Sequence, residues 1–283
     1  MCIYLIFRKR TRTEKSDIIS IKFEAFWPDF NTRDNWFIQL FEKCGKKFII
    51  TDDSPRVIIY SCFGNLGTKN YKFKKVFYTG ENIRPKCDAD INLSFDHTTE
   101  CNNIRVPLWL LYGYDKDLQL TYKDTKNFCC FVYSNPIAYR NNFCLELSKY
   151  KKVDCGGNSL NNIGKKVDNK IEFQKNYKFC IAYENSSFPG YCSEKILEAY
   201  KSNCIPIYYG SSTVSQDFNP ETFINAHNFA NNEELIKYII QVDSNDKMYQ
   251  SFLNKPIYSN YWLNVFNDPE QTYFRNICDK ICD

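Results

Sequence analysis

Glycine is scarce in this sequence, at ten of 283 residues, and the chain contains neither G-x-G-x-x-G nor a Walker phosphate loop. A nucleotide would therefore have to be held by side chains and helix ends. GNLGTKN (64–70) has two glycines but no helical pattern behind them. Histidine is rarer still. His97 and His227 are the only two, they do not cluster with acids, and both read as structural. No apolar run approaches the ~20 residues of a membrane-spanning helix. The N-terminal MCIYLIFRKR places its basic residues after a short apolar stretch, the reverse of a secretion signal. The expectation is a soluble, cytoplasmic protein with no transmembrane segment. An excess of one charge sign is also missing. The 37 basic and 33 acidic residues leave +4, evenly spread, which excludes a basic-patch nucleic-acid binder.

Cysteine, by contrast, is plentiful, at fourteen. Most cysteines sit in apolar, strand-like runs such as Cys129-Cys130 of NFCCFVY, and they read as small buried hydrophobes. Cys278 and Cys282 form a C-x3-C pair without a second pair or a nearby histidine, so zinc is not expected. A terminal disulfide between them stays open for an exported chain. Asn185-Ser-Ser and Asn92-Leu-Ser match the glycosylation sequon; in a cytosolic chain these are chance matches.

A hydrophobic content of 43%, with 17% aromatic residues, supports real cores. KFIIT (47–51), RVIIYSCF (56–63) and KKVFYTG (74–80) read as buried strands, as do NFCCFVYS (127–134), KFCIAYE (178–184) and CIPIYYG (204–210). Helical patterns lie at 34–45, 140–150, 193–203 and 232–242. Such alternation predicts α/β architecture with mostly parallel sheets. A polar stretch, 113–127, separates the two sets of strands. The predicted organisation is two Rossmann-like domains facing a cleft, 1–122 and 123–283, with helices at 244–283 packed on the outside. Ligands in such folds bind at the carboxyl ends of strands.

PGYCSEKILEAY (189–200) is the most informative stretch. Ser193 is placed to cap a helix whose first turn carries Glu194 and Lys195. A lysine there is disfavoured by ~0.3–1 kcal/mol unless an anion joins it. Either Lys195 points into water or the helix start is a phosphate site. The preceding strand ends in Glu184 and Asn185, which gathers polar groups at a strand end and a helix start.

At this point the residues resemble a known family. YENSSFPGYCSEKILEAYKSNCIPIYYGSSTVSQDFNPETFINAHNF is similar to the donor-binding motif of the α-1,3-fucosyltransferases, glycosyltransferase family 10. TGENIRP (79–85), VPLWL (106–110) and the segment 131–164 resemble the same family in the same order, and bacterial-type members are the nearest in character. The resemblance implies a GT-B fold and an inverting transfer of L-fucose from GDP-fucose to a glycan containing galactose or N-acetylglucosamine. It implies Glu81 as general base, and Arg140, Asn185, Tyr191, Glu194 and Lys195 as residues that hold the nucleotide sugar. No cofactor or essential metal is expected, since fixed cations can meet the charge that grows on GDP. Cys192-Ser193 stands where the family usually has Val-Thr or Ile-Thr. The segment between Glu81 and Arg140 is short, which leaves the acceptor open.

Each residue also has a plainer reading. Glu81 can pair in a turn, Arg140 can simply begin a helix, Tyr191 can be a packing ring, and Asn185 can be a turn residue. The aromatic clusters FEAFW (23–27) and VPLWLLYGY (106–114) read as core, with a few exposed rings free to stack on an acceptor. The alternative functions are a GT-B transferase of another GDP-sugar and a catalytically silent glycan- or nucleotide-binding protein.

Overall fold

A computed structural model describes residues 18–66, 72–122 and 127–283. The stretch MCIYLIFRKR, part of GNLGTKN and part of the polar segment 113–127 lie outside the described residues.

The described residues form two parallel sheets. The first contains β1 (Ile19–Glu24), β2 (Phe48–Ile50), β3 (Val57–Tyr60), β4 (Lys74–Thr79), β5 (Ile91–Ser94) and β6 (Asn103–Arg105), in the order β2-β1-β3-β4-β5-β6. Helix α1 (Trp36–Lys43) joins β1 to β2, and the single turn α2 (Leu108–Leu111) follows β6. The second sheet contains β7 (Asn127–Phe131), β8 (Val153–Cys155), β9 (Tyr177–Tyr183), β10 (Ile205–Tyr209) and β11 (Ile224–Asn225), in the order β11-β10-β9-β7-β8. Its helices are α3 (Ala138–Leu147), α4 (Lys170–Gln174), α5 (Glu194–Lys201) and α6 (Asn232–Ser244), followed by α7 (Asp246–Gln250), α8 (Asn260–Asn267) and α9 (Thr272–Cys282).

Five of the six strands expected from apolar runs are interior to their sheets and largely buried, as parallel sheets require; the sixth, β2 from KFIIT, is an edge strand with Ile49 exposed. All four residues of β3 are buried. The strands not anticipated had other signatures. β1 alternates buried Ile19, Ile21 and Phe23 with half-buried Ser20, Lys22 and Glu24, a period-two pattern and not a continuous apolar run. β5 buries Asn92 and Ser94. Asn92 is satisfied at both ends of its amide: it accepts from Lys86 N (2.7 Å) and donates to Lys86 O (2.9 Å) and Cys101 O (2.7 Å). Its sequon is sealed inside the folded protein. β6 and β8 are three residues each, too short for periodicity to register. Helix α1 starts where Asn35 Oδ1 accepts from Phe37 N and Ile38 N at 3.0 and 3.2 Å, and Gly45 beyond its end takes φ +70°.

Helices α8 and α9 pack on the outside with one face turned inward. Trp262 of α8 is buried, and its indole N–H donates to Asp217 Oδ1 at 2.9 Å. Helix α9 buries Phe274, Ile277, Cys278 and Ile281. It returns to the first sheet's side, where Lys43 lies over the Phe274 ring and Lys46 pairs with Asp279 at 2.7 Å. Cys278 and Cys282 are free thiols, while Cys87 and Cys101 are joined as a disulfide. The remaining described cysteines are free and mostly buried, which fits the reading of cysteine as a small core residue. Among the described residues, no helix is long and apolar enough to cross a membrane.

Candidate active site

The site is assembled where the carboxyl ends of β7 and β9 meet the loop after β4. Strand β9 ends at Tyr183, and the next residue, Glu184, is completely buried. Its carboxylate accepts from Ser193 N (2.7 Å), Ser193 Oγ (2.6 Å) and Lys195 Nζ (3.0 Å). Lys195 Nζ also donates to Ser193 Oγ at 2.7 Å and reaches Glu194 Oε1 at 3.4 Å. Lys195 therefore does not point into water. Burial alone would lower its pKa, but Glu184 and Glu194 outweigh that and hold the ammonium above the ordinary lysine range. Glu194 shows the reciprocal balance. Burial would raise its pKa, and Lys195 with Lys170 brings it below the usual carboxylate value.

Ser193 occupies the N-cap of α5, yet its hydroxyl makes no capping bond and is turned toward Glu184 instead. The first-turn N–H groups of α5 are left without a capping side chain. Gly210 allows Glu184 its position, since a Cβ there would stand 2.4 Å from Glu184 Cγ.

Arg140 lies in the first turn of α3 and is 2% exposed. Its guanidinium stacks 3.7 Å from the Tyr133 ring centroid, donates to Asn135 O at 2.6 Å, and reaches Tyr183 O at 3.4 Å. Its Nε has no partner among the described residues. A buried guanidinium with an unused donor is costly unless something else meets it. The buried Tyr133 phenol senses both Arg140 and Lys195, and Glu184 as well, which brings the two cations to one neighbourhood.

Tyr191 is buried, packs edge-on against Phe95 at 5.0 Å, and donates from its hydroxyl to Asn185 Oδ1 at 2.7 Å. These two predicted residues are thus one unit. Asn185 itself is exposed.

Glu81 follows β4 and is half-buried. Its backbone is tied to Thr79, whose Oγ1 accepts from Glu81 N at 3.1 Å. Its carboxylate makes no ion pair or hydrogen bond among the described residues. The Glu81 loop is latched to the far side: Asn82 Nδ2 donates to Ser186 Oγ at 2.9 Å, and the Arg84 guanidinium lies 3.6 Å over the Phe188 ring. Deeper in, Arg105 forms a two-pronged pair with the buried Asp217, both contacts at 2.7 Å.

Tyr133 and the Arg105–Asp217 pair were not anticipated as parts of the site, and Glu184 was expected only as one of the polar groups at the strand end, without a role. Glu184 had one local signal, an acid ending an apolar strand. The other two have none, because their partners are distant in sequence. His97 and His227 stay outside it. His97 Nε2 lies 3.0 Å from Thr213 Oγ1, and His227 stacks on Tyr209 with centroids 4.6 Å apart. No group of three or more metal-ligating side chains gathers among the described residues.

Residues 122–283 match the C-terminal region of glycosyltransferase family 10 (fucosyltransferase), and residues 21–112 match the α-(1,3)-fucosyltransferase FucT N-terminal domain. The Helicobacter pylori α-(1,3)-fucosyltransferase FucT is 34% identical over 221 residues, covering 64% of this chain and 46% of that protein. The mouse 4-galactosyl-N-acetylglucosaminide 3-α-L-fucosyltransferase 9 is 29% identical over 167 residues, covering 52% of this chain and 46% of the relative. The chain thus spans less than half the length of these curated relatives. A crystal structure of an α1,3-fucosyltransferase with GDP-fucose superposes with a TM-score of 0.72 at 28% identity, covering 93% of each chain. The two parallel sheets are those of a GT-B fold, and this chain belongs to glycosyltransferase family 10, the fucosyltransferases.

Proposed function

We propose that this chain transfers L-fucose from GDP-fucose, with inversion at C1, to a hydroxyl of a galactose- or N-acetylglucosamine-containing glycan, in the α-1,3 manner. The observation that carries this reading is the pairing of two cations, the buried Arg140 and the part-buried Lys195, which reach the adjacent Tyr183 and Glu184 at one strand end, with an unpaired carboxylate, Glu81, on the other sheet. The crystallised relative that holds GDP-fucose supports the choice of donor.

Breaking the bond between fucose C1 and the diphosphate leaves positive charge on the sugar and adds negative charge to GDP. Donors fixed in advance toward that charge lower the barrier. Arg140 Nε, the Lys195 ammonium and the uncapped N–H groups of α5 are suited to this. The Tyr191–Asn185 unit and Glu194 are placed to hold sugar and ribose hydroxyls. Glu81 takes the acceptor proton as the hydroxyl attacks C1 from the face opposite GDP, which inverts the centre. In this mechanism the cations do the work that a divalent metal does elsewhere.

The test is incubation of the protein with GDP-fucose and N-acetyllactosamine-type acceptors in the presence of EDTA. The expected result is a fucosylated product of inverted configuration. Glu81→Gln is expected to bind GDP-fucose as the wild type does and to lose transfer by ~10²–10⁴-fold. Wild-type turnover by that variant, or transfer abolished by EDTA, would overturn the mechanism. Failure to bind GDP-fucose would overturn the donor.

A further inference from the structure

The loop that carries Glu81 and the loop that carries the donor residues are joined by side chains that the transfer chemistry does not itself use. The loop after β9, residues 185–191, has Asn185 at one end and Tyr191 at the other, tied by the 2.7 Å bond between them. It is anchored to its own sheet where Ser187 Oγ donates to Gly210 O at 2.6 Å and Gly190 N donates to Ser211 Oγ at 2.8 Å. Two of its other residues, Ser186 and Phe188, meet the first sheet instead.

On that side the loop after β4 is fixed at both ends. Thr79 Oγ1 accepts from Glu81 N at 3.1 Å, while the Asn92 amide holds Lys86 and the disulfide to Cys101 holds Cys87. Arg84 stands between these ties. One arm of its guanidinium pairs with Asp96 beyond β5, and the other donates to Asn82 Oδ1 at 2.6 Å. Asn82 in turn donates to Ser186 Oγ at 2.9 Å, next to Asn185. The guanidinium also lies 3.6 Å from the Phe188 ring centroid and 4.8 Å from that of Phe95, which packs edge-on against Tyr191. Arg84 thus reaches the donor loop by a polar route and by an aromatic one. A planar fork can bond two acceptors while lying against rings, and an ammonium cannot. The Arg84 side chain is 40% exposed, so its ion pair adds little to stability. Its effect is on where the loop sits, and a misplacement of about 1 Å can cost about 10²-fold in rate.

We propose that Arg84 is a positioning residue for Glu81: it fixes the base-bearing loop to the donor loop, so that the carboxylate is held at a set place relative to a nucleotide sugar bound at Asn185 and Tyr191. The proposal rests on the general-base reading of Glu81 and names what places that base.

Arg84→Met is expected to lower kcat with GDP-fucose and methyl β-N-acetyllactosaminide by ~10–100-fold. Its GDP-fucose affinity in titration calorimetry should stay within about threefold of wild type, and its urea midpoint should not move. Arg84→Lys should recover part of the rate. In a Glu81→Gln background Arg84→Met should cost nothing further, because the residue it places no longer takes the proton. Hydrogen exchange gives a readout that needs no acceptor. GDP is expected to slow exchange in residues 80–86 as well as 185–191 of the wild type, and in 185–191 alone of Arg84→Met. Wild-type kcat in Arg84→Met, a full further loss in the Glu81→Gln background, or exchange slowed only in 185–191 of the wild type overturns the proposal and leaves the base reading standing. Should Arg84→Met lose the fold, Phe188→Leu decides from the opposite side: a smaller loss of kcat supports the proposal and wild-type kcat overturns it. Wild-type transfer by Glu81→Gln overturns the base reading, and the proposal with it.

Discussion

Lys195 is cationic at a helix start because two carboxylates surround it. The dipole cost of ~0.3–1 kcal/mol is small beside its contact with Glu184, whose side chain is fully buried. Removing one partner of a buried pair leaves an uncompensated charge, which costs about 3–5 kcal/mol. Lys195→Met is therefore expected to lower the unfolding free energy by about 3 kcal/mol in urea titration, as well as weakening GDP-fucose binding. Adding Glu184→Gln should restore most of the stability and none of the binding. Recovery of both would show that the lysine acts only as a structural partner. PGYCSEKILEAY shows the tension, a cation misplaced at a helix start, but not its protein partner. Glu184 lies eleven residues before Lys195, and only the turn back from β9 to α5 brings the two within 3.0 Å.

At the scale of elements, side-chain clamps hold strands and helices in register with one another. Asp243 of α6 accepts from Lys178 of β9 at 3.2 Å and from Tyr150 beyond α3 at 3.1 Å, and it pairs with Lys151. Burial would raise its carboxyl pKa, but these donors outweigh burial and bring it below 3.8. A depressed carboxyl stabilises the fold above the unfolded value and loses that contribution as pH falls through the folded one. Stability is thus expected to drop below about pH 4, and Asp243→Asn should flatten that part of a pH series of urea midpoints. The Arg105–Asp217 pair joins β6 to the second sheet through two parallel bonds and is backed by the Trp262 indole. Arg105→Lys cannot reproduce the fork. It is expected to destabilise the protein by about 1–3 kcal/mol, and a urea midpoint equal to wild type would count against the clamp.

Considered as a whole, the molecule is closed by its last helix. Helix α9 belongs in sequence to the second half, yet it packs on α1 of the first. Its apolar stripe, Phe274, Ile277, Cys278 and Ile281, is buried there. Deleting residues 272–283 exposes that stripe's counterpart on the first sheet's side and removes one of the ties between the halves. Limited proteolysis of the truncated protein is expected to cut the first ~120 residues far faster than in the full chain, because burial of α9 no longer opposes unfolding of that half. Equal resistance would mean that the first sheet stands by itself.

Local pattern by itself determined the α/β class, the buried central strands, the four principal helices and the residues that carry the family resemblance. Those features follow from short-range periodicity and capping chemistry. Polar strands such as β5, the three-residue strands β6 and β8, and the inward docking of α8 and α9 were decided by tertiary structure, because their burial depends on partners supplied from elsewhere in the chain. The same holds for the site. Glu81, Arg140, Asn185, Tyr191, Glu194 and Lys195 were legible as candidates. Their neighbourhood was not: the Glu184 network and the Arg140–Tyr133 stack exist only once the fold of the second half brings strand ends, loops and helix starts together.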